Sequence, residues 1–194
     1  NFPRLGILNS SYENIDGVWN YNFYNADVVI ENNLVMSDAV DCYTDYSGIY
    51  MQGATGSVQG NVVDDASRGI QVQPYNNPST VQGVVQNNHF KGFRSPIYFN
   101  YSENANVNWL IKDNIAEGIP VPTGSGVTTW SGINTQTFSA GNVTFEENQV
   151  LYGTTNATTK YLYEEINVTG GTANASPNWW GTILGPAEGT FIDL

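Results

Sequence analysis

The sequence predicts an all-β chain wound as one right-handed parallel β-helix, a solenoid of about six to seven coils with an asparagine ladder. Three observations predict it. An apolar-x-apolar-x-x-Asn-x-apolar motif recurs along the chain, the copies are spaced almost evenly, and the composition suits strands and turns better than helices.

The motif reads Val28-x-Ile30-x-x-Asn33-x-Val35, then Val58-x-x-Asn61-x-Val63 and Val85-x-x-Asn88-x-Phe90. It continues as Trp109-x-Ile111-x-x-Asn114-x-Ala116 and Val143-x-Phe145-x-x-Asn148-x-Val150, with Asn14 in Tyr12-Glu13-Asn14-Ile15 read as a degenerate first copy. Successive asparagines then differ by 19, 28, 27, 26 and 34 residues, so the middle intervals are nearly constant and the outer ones read as loop variation. Apolar alternation with period 2 means strand. A fixed repeat length means that each strand pairs in parallel with its copy one coil away. The inward alternates Ile30, Val35, Val58, Val63, Ile70, Val72, Phe90, Ile97, Phe99, Ile111 and Val150 are the expected core.

A second motif follows each asparagine: Gly48-Ile49-Tyr50-Met51, Gly69-Ile70-Gln71-Val72, Pro96-Ile97-Tyr98-Phe99 and Gly132-Ile133-Asn134. The recurring Asn is expected to occupy the tight bend, because it tolerates left-handed backbone, and to hydrogen-bond to its copies along the stack. Asn, Ser, Thr and Gly compete with or loosen helical backbone, which agrees with this reading.

Charge narrows the partners. Only 12% of the 194 residues are charged, and 6 Lys and Arg against 18 Asp and Glu give a formal charge of −12. Such a balance repels phosphate backbones and anionic surfaces, so nucleic acid is not an expected partner. With 40% apolar and 13% aromatic residues the chain has ample surface to bury and is expected to fold as one domain over residues 1–194. The single cysteine, Cys42, excludes an intrachain disulfide and reads as a small buried apolar residue. No apolar run approaches the ~20 residues of a membrane span. The sequence opens at Asn1 within patterned residues, so a processed chain or a part of a longer protein is expected.

The tail Asn174-Ala175-Ser176-Pro177-Asn178-Trp179-Trp180-Gly181-Thr182-Ile183-Leu184-Gly185-Pro186 resembles the NWWG…GP segment near the end of many bacterial and archaeal surface β-helices. Together with the repeats it resembles the pectate-lyase-like parallel β-helix proteins. That resemblance implies the fold and says little about activity, since the family spans lyases, hydrolases, epimerases and non-catalytic surface proteins. Residues 178–186 are expected to close the stack, with Trp179 and Trp180 covering the last coil and shielding its edge.

Laying the copies on one register puts Asp64, Lys91 and Glu117 at the same place, each three residues past its Asn, as an ion-pair ladder. The catalytic candidates are Asp64, Asp65, Arg68 and Lys91, with His89 and Arg94 nearby in sequence. The resemblance supplies their chemistry: lyases of this fold use carboxylate-bound calcium with an Arg or Lys base, and its hydrolases use Asp clusters. Asp38, Asp41 and Asp45 in the insertion before Gly48 are hard oxygen ligands suited to Ca²⁺, the one cofactor the sequence suggests. Tyr50 and Tyr98, expected to face outward two coils apart, offer rings for stacking on sugars. Sequons stand at Asn9, Asn100, Asn142, Asn156, Asn167 and Asn174.

Three functions are expected from these features. The first is a non-catalytic structural or adhesive protein of a cell surface or extracellular assembly, stacking head to tail into a filament or layer with copies of itself or with other surface proteins. The second is a carbohydrate-active enzyme: a polysaccharide lyase, an epimerase or a glycosidase. The third is a non-catalytic glycan-binding module.

Overall fold

A computed structural model of the chain describes residues 4–8, 11–13, 18–20, 27–36, 47–53, 55–73, 81–100, 102–136, 138–166, 171–175, 177–179 and 191–193. Every regular element among them is a strand. The first six are β1 (Arg4–Leu8), β2 (Ser11–Glu13), β3 (Val18–Asn20), β4 (Asp27–Glu31), β5 (Leu34–Met36) and β6 (Ser47–Gln52). Next come β7 (Thr55–Gln59), β8 (Val62–Gln73), β9 (Val81–Gln86), β10 (His89–Phe99), β11 (Ser102–Lys112) and β12 (Ile115–Gly118). The last six are β13 (Thr129–Gln136), β14 (Phe138–Glu146), β15 (Gln149–Leu151), β16 (Thr159–Ile166), β17 (Gly171–Asn174) and β18 (Phe191–Asp193).

They form two sheets in which the strands pair in parallel. The first has seven strands in the order β1-β4-β7-β9-β11-β14-β17. The second has eleven strands and two arms, because β8 and β10 are long enough to serve both. Their first halves pair with β5 and β12, and their second halves with β6 and β13. Register shifts between Phe90 and Gly92, and again between Gly92 and Ser95, mark the corner on β10. On β8 the corner holds Asp65, at φ 59°. An extra residue of this kind bends the strand and re-aims the side chains beyond it.

The period-2 alternation becomes columns of matching side chains. Ile30, Val58, Val85, Ile111 and Phe145 succeed one another across five strands of the first sheet and are all fully buried. Val35, Val63, Phe90, Ala116 and Val150 do the same on one arm of the second. Ile49, Ile70, Ile97 and Ile133 do so on the other. These columns join in one apolar cluster, and each Val, Ile or Phe in it contributes about 1.5–3 kcal/mol by burial. All eleven expected core residues lie in it.

The glycines of the second motif answer to this packing. A Cβ on Gly48 would lie 2.2 Å from Val63 Cγ1, one on Gly69 2.5 Å from Phe90 Cβ, and one on Gly132 2.2 Å from Val150 Cγ1. In each case the crowding atom belongs to the apolar column one copy further on. At Pro96, where glycine is missing, the matching residue is the small Ala116.

The asparagines form a continuous column. Both the backbone N–H and the Nδ2–H of Asn33 donate to Asn61 Oδ1 at 2.9 Å. Asn61 repeats this pair of bonds on Asn88, Asn88 on Asn114, Asn114 on Asn148, and Asn148 on Asn178, all at 2.9–3.0 Å. The other Nδ2–H of each acceptor reaches back to the carbonyl three residues before the preceding rung: Ile30, Val58, Val85, Ile111 and Phe145 at 2.8–3.0 Å. The rungs from Asn33 to Asn148 are no more than 2% exposed.

Three expectations need correction. The left-handed residue is the one before each rung: Asn32, Gly60, Asn87, Asp113 and Glu147 have φ of 54° to 65°, and the rung asparagines are not among the positive-φ residues. The column also has a rung that the apolar flanks concealed. Asn178 belongs to Ala173-x-Ala175-x-x-Asn178, and the residue after it, Trp179, bridges in parallel to Gln149. Trp179 therefore continues the outward column of Leu34, Val62, His89, Ile115 and Gln149 and is 41% exposed, so it does not cover the stack; Trp180 lies outside the described residues. At the other end, Ser11 pairs with Leu34 and Tyr12 with Val35, so no register matches Asn14 to Asn33. Leu5-x-Ile7-x-x-Ser10-x-Tyr12 is the aligned copy, with serine in place of asparagine. Asn14 itself lies outside the described residues.

Asn88→Ala removes the acceptor for two buried donors of Asn61 and three donated bonds, and is expected to cost about 2–4 kcal/mol in urea unfolding. Glu147→Asn puts a residue that tolerates left-handed backbone at φ 56° and is expected to raise stability by about 0.5–1 kcal/mol in the same measurement.

Candidate functional site

The charged column forms as the register requires, with a different division of partners. Lys91 Nζ donates to Asp64 Oδ2 at 2.9 Å, on adjacent strands of one arm. Glu117 sits opposite Lys91, yet its carboxylate lies 2.9 Å from His89 Nε2. His89 therefore has a carboxylate partner and is not an isolated surface imidazole. All four side chains are about one-third exposed, so water screens both pairs. The hydrogen bond from Lys91 to Asp64 holds the ammonium above its ordinary value of 10.5, against a smaller opposing effect of burial.

The bulge at Asp65 separates the remaining candidates. Asp65 is exposed, and its backbone N–H donates to Asp64 Oδ1 at 3.1 Å. Arg68, past the corner, belongs to the other arm. It is buried, its guanidinium carbon lies 4.1 Å from the centre of the Tyr98 ring, and its Nη1 donates to Gln71 Oε1 at 3.1 Å. Arg94 lines a separate hollow with Gly126, Val127, Thr128 and Thr129. Asp64 and Lys91 are thus together, whereas Arg68 is committed to the tyrosine and glutamine of the other arm.

Tyr50 and Tyr98 stand on the non-core face of the second arm, one on each side of Gln71 in the strand order, two copies apart as expected. Their rings are not open: they are 8% and 6% exposed. Tyr50 Oη donates to Gln73 Oε1 at 2.6 Å, and Tyr98 Oη to Gln136 Oε1 at 2.9 Å. Ser47 Oγ adds a bond to Gln71 Oε1 at 3.0 Å. The cluster is a hydrogen-bonded polar layer stiffened by a cation–π contact, which leaves neither ring available for stacking on a sugar.

Of the sequon residues, Asn142, Asn156 and Asn174 are exposed and Asn100 is half-buried, while Asn9 and Asn167 lie outside the described residues. Asp38, Asp41 and Asp45 also lie outside them. Among the described residues no three His, Cys, Asp or Glu side chains come together as a metal-binding group, and no helix is long and apolar enough to cross a membrane.

Sequence reasoning missed the outer face of the first sheet. A shallow groove of about 430 Å³ crosses β4, β7, β9 and β11 there. One wall is a polar row, in which Asp27 stands beside Thr55 and Gln82 beside Asn108. The other is the row Val29, Ser57, Val84 and Leu110. Its floor is the backbone at Gly56 and Gly83: Gly56 stands at φ 143° against the backbone of Val28, and a Cβ on Gly83 would meet the Gly56 carbonyl at 2.4 Å and Trp109 Cη2 at 2.5 Å. The signal was present in the strand periodicity. Once Val28, Ile30 and Val58 are assigned inward, the intervening residues must face out in matching rows.

No family model matches the sequence, and no curated protein and no solved structure matches the chain.

Replacing Lys91 by Met is expected to cost under ~1 kcal/mol at neutral pH, as exposed pairs do. Because the folded-state value of Lys91 is raised, the difference from the parent should persist below about pH 10.5 and fade as the pH rises through the folded-state value. Urea midpoints measured from about pH 7 to about pH 11.5 check both the size and the sign.

Proposed function

We propose that this chain is a right-handed parallel β-helix of the pectate-lyase-like kind, and that it acts as a non-catalytic structural or adhesive module at a cell surface or in extracellular material. The winding reading is supported by the equality of two offsets. Ladder partners are 28, 27, 26, 34 and 30 residues apart, and strands of the first sheet pair at the same separations, as successive coils of a solenoid require. Right-handed winding is favoured by the strong preference of parallel crossovers.

One observation carries the functional reading: the side chains best suited to catalysis pair on the sheet surface and line neither of the two hollows described above. Asp64 holds Lys91 and Glu117 holds His89, on an open sheet face, and Arg68 is buried against Tyr98. A general base must stand within hydrogen-bond reach of the proton it takes from a bound substrate. These groups line neither the groove over Gly56 and Gly83 nor the hollow beside Arg94. The regular outward rows, by contrast, suit a surface that meets a repetitive partner. Strand addition by a second copy at β1 or β17, the ends of the first sheet, is the route by which the module would build a filament or layer.

Incubation with uronate and neutral polysaccharides, with and without Ca²⁺, is expected to release no new reducing ends and no unsaturated product. Turnover that is abolished by Asp64→Ala or Lys91→Ala in a folded protein would replace this reading with that of a carbohydrate-active enzyme.

A further inference from the structure

We infer that the outer groove of the first sheet is a binding site for an extended, uncharged polysaccharide chain lying across the strands. The inference rests on the adhesive reading of the module and gives it a ligand class.

The shape comes first. The groove crosses β4, β7, β9 and β11, so it runs about 14 Å at the ~4.8 Å separation of paired strands. It is open along its length and therefore suits a linear chain, not a small molecule that must be enclosed to be held. Contact points recur at each strand, a spacing close to the advance of one sugar ring in an extended glycan.

Chemistry then selects the occupant. The polar wall presents a carboxylate, a hydroxyl and two carboxamides, at Asp27, Thr55, Gln82 and Asn108. Hydroxyls and amides both donate and accept, which matches the hydroxyl groups of a sugar. The facing row offers Val84 and Leu110, both half-buried, against which the C–H faces of pyranose rings can pack. Among the described residues no cation lines the groove and one carboxylate does, in a chain of net charge −12, so a polyanionic glycan is disfavoured. A peptide is disfavoured for a different reason. These four strands are internal to the sheet and pair on both sides, which leaves no backbone edge for strand addition.

Isothermal titration of the whole chain with cellohexaose, mannohexaose and laminarihexaose, with hexagalacturonate as the anionic counterpart, tests this. At least one neutral hexaose should bind, and hexagalacturonate should bind more weakly or not at all. The double variant Gln82→Ala/Asn108→Ala, altered only at exposed positions, should weaken binding about tenfold or more while the melting curve stays unchanged. Leu110→Asp, which places a charge in the apolar row, should abolish it, so the test does not depend on one variant. Failure of every neutral hexaose to bind, preference for hexagalacturonate, or binding that both variants leave intact would overturn the proposal. Reducing ends measured in the same samples keep the two readings apart: hydrolysis of a bound hexaose would contradict the non-catalytic reading, and absent binding without hydrolysis would remove the groove alone.

Discussion

The structure depends on a hydrogen bond that is made twice at every rung. A single carboxamide oxygen accepts the backbone N–H and the side-chain N–H of the preceding asparagine, while its own amide ties down a carbonyl at the end of the neighbouring strand. Burying an amide without partners costs several kcal/mol, so an asparagine in this position is either fully satisfied by its copies above and below or strongly destabilising. That asymmetry makes the ladder a register device. A strand that slipped one residue forward would bring Val62, His89, Ile115, Gln149 or Trp179 to the place where Oδ1 is needed, and none of these carries one.

Everything that must stack is fixed by that register, and everything that need not stack is free to vary. The separation between rungs grows to 34 residues between Asn114 and Asn148, yet the bonds there are as short as those across 26 residues. The extra length goes into residues 119–128, between β12 and β13, where two glycines have open space around them. Insertion is tolerated where the chain leaves the sheets, since loop length adds little entropy cost once the ends are held. The bend at Asp65 has the opposite character. It sends Asp64 toward Lys91 and Arg68 into the layer with Tyr98, and so divides charges that are four residues apart into unrelated surroundings.

The apolar columns and five of the rungs were legible because period-2 alternation and a near-constant spacing survive in the letters themselves. The sixth rung was harder to read: alanine at 173 and 175 and proline at 177 dilute its motif, and the bonds from Asn148 to Asn178 and the bridge from Gln149 to Trp179 reveal it. Asn14 misled in the opposite way, by residue type without register. The left-handed position was displaced by one, because Asn32-Asn33 and Asn87-Asn88 are pairs and the letters do not say which member turns the chain. Outwardness was the least legible property. Tyr50 and Tyr98 do point away from the apolar core, but alternation reports which side of a sheet a residue takes and not what lies over that side, and both rings are enclosed in a polar layer. The groove over Gly56 and Gly83 went unread for a related reason: alternation sends two rows outward and does not say that they border a hollow.

If the ladder governs the fold, its amides should be the last to open. Hydrogen–deuterium exchange of the backbone N–H groups of Asn61, Asn88, Asn114 and Asn148, each donated to the next rung, tests this residue by residue. The account predicts that all four exchange only through global unfolding, with opening free energies equal to the stability measured by denaturant. Exchange of these amides at the rate of the open loop around Gly124, while the apolar strands remain protected, would show that the asparagines decorate the stack without holding it.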